Sequence, residues 1–140
     1  MKEYSTSIKI RSTPAKVWSI LTDASAYPSW NTTVSKVDGT IASGEKVTVH
    51  AKISPNQAFP LRVTEFEPEK RMVWRGGMPL GFLFKGERTY TVTPAGDGMV
   101  EFTMREVFSG LFSSMITKSI PDLQPSFDEF AACLKKRAEG

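Results

Sequence analysis

The sequence contains one cysteine, Cys133, and one histidine, His50, among its 140 residues. A single thiol cannot form an internal disulfide. With no second histidine and no thiol cluster, we expect neither a zinc site nor a Cys–His dyad. His50 lies on the polar face of an alternating run, and Cys133 follows Phe130 by three positions, as a small core residue of a helix would. We therefore predict no metal, no cofactor and no catalytic residue.

Long apolar runs and long basic runs are also absent from the sequence. No stretch approaches the ~20 apolar residues that a membrane helix needs, and the first twelve residues alternate in polarity, unlike a signal peptide. The net charge is +3, and the longest basic run, residues 135–137, stands where a helix end suits cations. We expect a cytoplasmic protein with no integral membrane segment and no nucleic-acid partner.

What the sequence does contain is the composition of a globular protein. Hydrophobic residues make up 40% of the chain and charged residues 24%, which are ordinary values for a folded protein. The length is sufficient to bury a substantial core. We predict a single domain over residues 1–140 and leave its oligomeric state open, with a homodimer as one possibility.

Hydrophobic spacing predicts an α+β protein with strands first and a long helix last. A strand carries Tyr4, Ile8 and Ile10 on one face. A helix follows, capped by Ser12 or Thr13 and ending near residue 23. Six further strands are predicted at residues 34–38, 46–53, 61–66 and 71–75, in a run that ends at 92, and at 99–108. Short turns between them favour an antiparallel meander, which needs a helix to cover one face.

The last part of the chain changes to helical spacing, but two prolines interrupt it. Pro121 and Pro125 disfavour one straight helix through this segment, because each removes a backbone hydrogen bond. We predict a short helix over residues 111–119 and a longer one from near Pro121 or Pro125 to Arg137. The break between them is either a hinge or a bend that follows the sheet.

The stretch AYPSWN, residues 26–31, places two large aromatic residues around a proline. Pro28 disfavours a helical conformation of Tyr27, which predicts a turn here. We expect Trp30 to plug one end of the sheet near the first helix, with Tyr27 beside it.

Arg88 and Glu106 are two charged residues on otherwise apolar strand faces. If residues 94–98 form a plain hairpin turn, Thr93 lies opposite Met99, so that Arg88 lies opposite Met104 and diagonal to Glu106. A buried charge needs a partner or water. Two interpretations remain: an ion pair that fixes the sheet, or a polar anchor that holds a carboxylate or carbonyl of a ligand.

Three stretches together resemble a known superfamily: STPAKVWSILTDASAYPSWN (12–31), RVTEFEPEKRMVWRG (62–76) and REVFSGLF (105–112). They are similar to the START/SRPBCC superfamily, which includes pollen-allergen-like and polyketide cyclase/dehydrase-like proteins. The resemblance implies the helix-grip fold: a curved antiparallel sheet of six to seven strands wrapped around a long C-terminal helix, with one or two short helices after the first strand. It also implies a largely apolar cavity between sheet and helix. Related families often carry a histidine where Arg88 stands, and its replacement weakens the case for an enzyme.

We therefore predict binding, for storage, transport or sensing, of a hydrophobic or amphipathic small molecule such as a lipid or polyketide. The alternatives are a polyketide cyclase/aromatase-type enzyme that uses the same cavity, and a module that contacts a protein or membrane surface through apolar loop tips. The alternation also turns Phe82 toward the cavity, although an ordinary closed core would show much the same pattern. The candidate ligand-binding residues are Trp74, Phe84, Arg88, Tyr90, Phe102, Met104, Glu106, Phe108, Phe127 and Phe130.

Overall fold

The computed structural model describes residues 2–140 and contains one seven-stranded antiparallel sheet with helices on one side. The elements in chain order are β1 (Lys2–Ile10), α1 (Pro14–Thr22), a 3₁₀ turn (Ala24–Ala26), α2 (Tyr27–Trp30), β2 (Val34–Gly39), β3 (Lys46–Ala51), β4 (Phe59–Glu67), β5 (Arg71–Gly77), β6 (Lys85–Gly96), β7 (Met99–Ser109), α3 (Ser113–Thr117) and α4 (Gln124–Glu139).

The sheet is a meander whose first strand returns to its last. The strand order is β1-β7-β6-β5-β4-β3-β2, so β2 to β7 pair with their neighbours in sequence, as predicted. The intervening α1 and α2 carry the chain from β1 across to β2. α4 packs against β1 and turns Phe127, Phe130, Ala131, Leu134 and Ala138 into the core. The predicted helix-grip architecture is confirmed.

The first helix begins where its capping residues predict. Thr13 is the N-cap, and its side-chain oxygen accepts a hydrogen bond from the backbone N–H of Lys16 at 3.2 Å. Pro14 occupies the first helical position, where a missing N–H costs nothing. Val17, Trp18 and Leu21 form the buried face.

The expectation for Tyr27 was wrong. Its backbone is right-handed helical, with φ −49° and ψ −46°, and residues 27–30 form α2. Pro28 is tolerated because it lies in the first turn of that helix, where its N–H has no helical partner. The Tyr27 hydroxyl donates to the Leu21 carbonyl at 2.6 Å, and Trp30 meets Phe130 edge-on at a centroid distance of 5.6 Å. Both aromatic side chains are buried, as a plug requires.

The β6–β7 register differs from the prediction by two residues. Thr93 lies opposite Glu101 rather than Met99, because the chain reverses at Asp97 and Gly98 and a β-bulge interrupts β6 between Pro94 and Gly96. Positive φ angles at Asp97 (53°) and Gly98 (74°) make this reversal tight. A shift of two residues leaves every side chain on its predicted face but changes which residues meet across the hairpin.

The break before the last helix lies where the prolines predict it. α3 ends at Thr117 and α4 begins at Gln124, with Pro125 in the first turn of α4. Within residues 2–140, none of the helices has both the length and the apolar character to cross a membrane.

Candidate ligand-binding cavity

A cavity of about 510 Å³ lies between the inner face of the sheet and the α3–α4 region. Strands β3 to β7 contribute one wall, and α3, the 118–123 link and the start of α4 contribute the other. Most of the lining side chains are aliphatic or aromatic. Among the described lining residues, the charged ones are Arg88 and Glu106.

Arg88 and Glu106 face each other directly across β6 and β7. Arg88 donates from Nε to Oε1 of Glu106 at 2.6 Å. The two side chains are 26% and 13% exposed, respectively, and both border the cavity. The register difference described above therefore turns the expected diagonal neighbours into a close ion pair.

Phe127 covers the guanidinium of Arg88 from the helix side. The guanidinium carbon lies 4.8 Å from the centre of the Phe127 ring, a distance at which a cation interacts favourably with an aromatic face. Arg88 is thus held by Glu106 on the neighbouring strand and by Phe127 on α4. This arrangement restricts the arginine to one position at the cavity wall.

Tyr90 extends the polar group deeper into the core. Its hydroxyl lies near enough to the Arg88 guanidinium for each group to shift the pKa of the other. Burial raises the pKa of Tyr90 to about 12, even though Arg88 acts in the opposite direction. Burial alone would lower the pKa of Arg88, but Glu106 and Tyr90 more than reverse this effect, so its pKa lies above the ordinary arginine value. Both groups therefore keep their protons at neutral pH.

The structure brings most of the predicted site residues together around the cavity. The lining includes Trp74, Phe84, Arg88, Met104, Glu106, Phe108, Phe127 and Phe130.

Two predicted site residues, Tyr90 and Phe102, lie behind the lining in the core. Tyr90 packs against Trp74 at a centroid distance of 4.9 Å. Phe102 stacks on Phe130 at 6.0 Å. These two side chains support the cavity wall from behind, so any effect on a ligand is transmitted through Trp74, Arg88 or Phe130.

The prediction that Phe82 faces the cavity was wrong. It lies in the loop between β5 and β6, outside any strand, and is 65% exposed. The alternation stops applying here because β6 begins only at Lys85.

The candidate set omitted several residues that shape the cavity. Gly86 lies opposite Phe108, and a Cβ at this position would come within 3.0 Å of the Phe108 ring. A glycine inside a strand pattern is a signal of such close approach. Ile116, Ile120 and Leu123 line the helical side, and no sequence signal distinguished them from ordinary core residues.

Exposed apolar residues lie in the cavity lining and in segments of the chain next to it. Ile53 and Phe59 line the cavity and are 38% and 37% exposed. A second exposed group, which we call the rim, lies in the segments of the chain that adjoin the lining residues Gly77, Phe84 and Ile116: Met78, Leu80, Phe82, Leu111 and Met115. Backbone bonds join its two segments, since Leu111 N–H donates to the Phe82 carbonyl at 2.9 Å.

His50 and Cys133 lie away from the cavity lining. His50 Nε2 is 3.2 Å from Oδ2 of Asp38 on the neighbouring strand. Cys133 Sγ is 3.3 Å from the hydroxyl oxygen of Thr32, and the side chain is partly buried against the core. These positions agree with the surface and core roles that their sequence contexts predict.

Solved structures share this fold at low sequence identity. A START superfamily protein from Mycobacterium smegmatis has a TM-score of 0.72 at 16% identity, covering 98% of this chain and 97% of that one. The Aha1 dimer from Colwellia psychrerythraea has a TM-score of 0.72 at 15% identity, covering 99% and 97%. The di-domain ARO/CYC protein BexL from the BE-7585A biosynthetic pathway has a TM-score of 0.71 at 14% identity, covering 97% of this chain and 46% of that one.

At these identities the likeness shows the fold alone, which is the helix-grip fold that the resemblance implied. No curated protein matches the chain. A family match covers residues 1–139, under the description "Polyketide cyclase / dehydrase and lipid transport". The chain therefore belongs to the polyketide cyclase/dehydrase and lipid transport family.

Proposed function

We propose that the protein binds a hydrophobic or amphipathic small molecule, such as a lipid or polyketide, in the cavity between the sheet and α4. The observation that carries this proposal is the cavity itself, with apolar walls and one polar group at Arg88 and Glu106. Ligand sites are typically ~300–1,000 Å³ in volume, mostly apolar, and oriented by a few polar groups. The cavity of about 510 Å³ has each of these properties.

The test is whether an apolar molecule enters this cavity and leaves it when the cavity is filled. Native mass spectrometry and solvent extraction of the purified protein would detect a molecule that travels with it. Uptake of a neutral environment-sensitive dye, Nile red, would measure binding directly. We expect the Val49→Phe variant to take up less dye, because Val49 lines the cavity and a larger ring occupies its space.

A matched control comes from the neighbouring residue of β3. Thr48 precedes Val49, is similarly half-buried and lies outside the described lining. Thr48→Phe adds a ring to the opposite face of the same strand, so dye uptake should be retained. Equal uptake by Val49→Phe and the wild type, or no uptake by either, would contradict the proposal.

The alternative of a polyketide cyclase/aromatase-type enzyme uses the same cavity. Arg88 and Tyr90 keep their protons at neutral pH, so they can donate hydrogen bonds but cannot accept a proton from a substrate. Catalysis here would rest on holding a reactive chain in a folded pose. The family description includes both cyclases and lipid transport, and incubation with a reactive polyketide chain would reveal a cyclised product if this alternative applies.

The second alternative, a contact with a membrane surface, is favoured by the rim. Residues 78–84 and 110–120 contain no acidic residue and one lysine, Lys118, so they carry no charge that an anionic membrane would repel. Leu80 and Phe82 are 55% and 65% exposed. Sedimentation with phosphatidylserine-containing vesicles should decrease in a Leu80→Ser/Phe82→Ser variant, and equal sedimentation of the two proteins would count against this function.

Two further expectations stay predictions for this chain. A homodimer is one, and light scattering of the purified protein measures it directly. The cytoplasmic location is the other, and fractionation of the source cells measures it.

A further inference from the structure

The charges at the polar end of the cavity cancel each other. Arg88 and Glu106 are the charged members of the described lining, and they are joined at 2.6 Å. The guanidinium keeps its proton at any physiological pH. A ligand that enters the cavity therefore meets a polar site whose summed charge is zero, set in apolar walls.

The pair also keeps hydrogen-bonding capacity that the protein does not use. Glu106 accepts from Arg88 through Oε1, and within residues 2–140 no side chain or backbone group donates to its Oε2. A guanidinium has five N–H groups, of which Arg88 directs one to Glu106. A free acceptor and free donors thus lie side by side at the cavity wall.

We infer that the cavity selects uncharged amphiphiles whose polar end is a hydroxyl group, such as a long-chain alcohol, a phenol or an enol, over free carboxylates. This inference rests on the proposed binding function. A hydroxyl donates to Oε2 of Glu106 and accepts from the Arg88 guanidinium, so both unused capacities are satisfied and the site stays neutral.

A carboxylate is disfavoured for two reasons. It would add an uncompensated negative charge to an apolar cavity, which is costly. It would also place its oxygens against Oε2 of Glu106, which has no proton to share with them. The sequence analysis considered Arg88 as an anchor for a carboxylate or carbonyl, but the direct pairing with Glu106 already neutralises the arginine.

The size of the cavity indicates which probes to use. Its volume of about 510 Å³ corresponds to roughly 17 water molecules at ~30 Å³ each. An unbranched lauryl chain with a small polar head has fewer non-hydrogen atoms than this. Lauryl alcohol, lauryl methyl ether and lauric acid share that chain and differ in charge and in hydrogen-bond donation.

The experiment measures displacement of Nile red by these three compounds at mildly alkaline pH, where lauric acid is ionised. We expect lauryl alcohol to bind about tenfold or more tightly than laurate, since a buried unpaired charge costs more than the ~1.4 kcal/mol that a factor of ten represents. Lauryl methyl ether accepts a hydrogen bond but cannot donate one, so its affinity should lie between those of lauryl alcohol and laurate.

The variant Glu106→Gln should lose most or all of this selectivity if the inference is correct. Glutamine keeps the size of the side chain and removes the negative charge that balances Arg88, so laurate should gain affinity relative to the alcohol by about tenfold. Glu87→Gln is the matched control, because Glu87 is on the same hairpin, 38% exposed and outside the described lining. The ratio of its affinities for lauryl alcohol and laurate should equal that of the wild type.

Two results would overturn the inference while leaving the binding function intact. One is laurate binding to the wild type as tightly as the alcohol does. The other is a folded Glu106→Gln variant whose ratio of affinities for lauryl alcohol and laurate is the same as that of the wild type. If that variant does not fold, the wild-type comparison alone decides. Failure of Nile red and of all three amphiphiles to bind the wild type would instead overturn the proposed function, and the inference with it.

Discussion

Replacing Arg88 by methionine should destabilise the protein strongly, because it leaves the Glu106 carboxylate without its partner. Removing one member of a buried pair typically costs ~3–5 kcal/mol. The Arg88 and Glu106 side chains are 26% and 13% exposed to a cavity that water can enter. We therefore expect the free energy of unfolding to fall by about 3 kcal/mol, the lower end of that range. The total free energy of unfolding of a typical domain is ~5–15 kcal/mol.

The assay is urea denaturation, with the free energy of unfolding extrapolated to water. The control is Arg105→Met, because Arg105 pairs with Glu3 on the outer face of the same sheet and these side chains are 59% and 45% exposed. An exposed pair contributes ~0–1 kcal/mol. Arg88→Met should therefore lower the free energy of unfolding by at least twice as much as Arg105→Met does.

A double-mutant cycle separates the pair interaction from the loss of each side chain. In Arg88→Met/Glu106→Leu both charges are gone, so the double variant should be about 1–3 kcal/mol more stable than the sum of the single effects implies. If the single effects simply add, or if Arg88→Met costs no more than Arg105→Met, then Arg88 and Glu106 do not act as one buried unit and the reasoning fails.

Three further predictions concern α2 and the last helix. Trp30→Ala should cost ~3–5 kcal/mol in urea denaturation, because Trp30 is buried against Phe130; a loss below that of a surface substitution would refute its role as a plug. Tyr27→Phe removes the 2.6 Å hydrogen bond to the Leu21 carbonyl and should cost about 1 kcal/mol, whereas an unchanged unfolding midpoint would show that the bond contributes nothing. The backbone N–H that follows β1, together with a lysine on α4, lowers the pKa of Glu139 below the usual glutamate value. An NMR titration should therefore give it a lower pKa than other exposed glutamates, and its contribution to stability should disappear as the pH falls through that pKa.

The fold was predictable because its determinants are local or periodic. Period-two alternation located the strands, the Thr13–Pro14 pair located the start of α1, and the two late prolines located the break before α4. The two aromatic side chains of the AYPSWN stretch are buried, as a plug requires, but the expected backbone conformation of Tyr27 was wrong. A proline disfavours a helical residue before it, yet packing of Tyr27 and Trp30 into the core outweighs that preference.

The candidate site was predictable in its members but not in its geometry. Most of the predicted residues border the cavity, since a strand fixes which face each side chain occupies. The volume of the cavity depends on how far the sheet curves away from α4, and no single residue encodes that distance. Gly86 was the one available signal, because a glycine within a strand indicates that another group, here Phe108, approaches its backbone.

The β6–β7 turn shows how a local detail determines the chemistry of a distant site. With the predicted register, Arg88 would oppose Met104 and reach Glu106 only diagonally, leaving its guanidinium free to hold an anion. The tight turn at Asp97 and Gly98, together with a β-bulge between Pro94 and Gly96, brings Arg88 directly opposite Glu106. Because that opposition neutralises the arginine before any ligand arrives, the turn and the bulge together set the net charge at the polar end of the cavity, and this net charge is the basis of the proposed preference for a hydroxyl over a carboxylate.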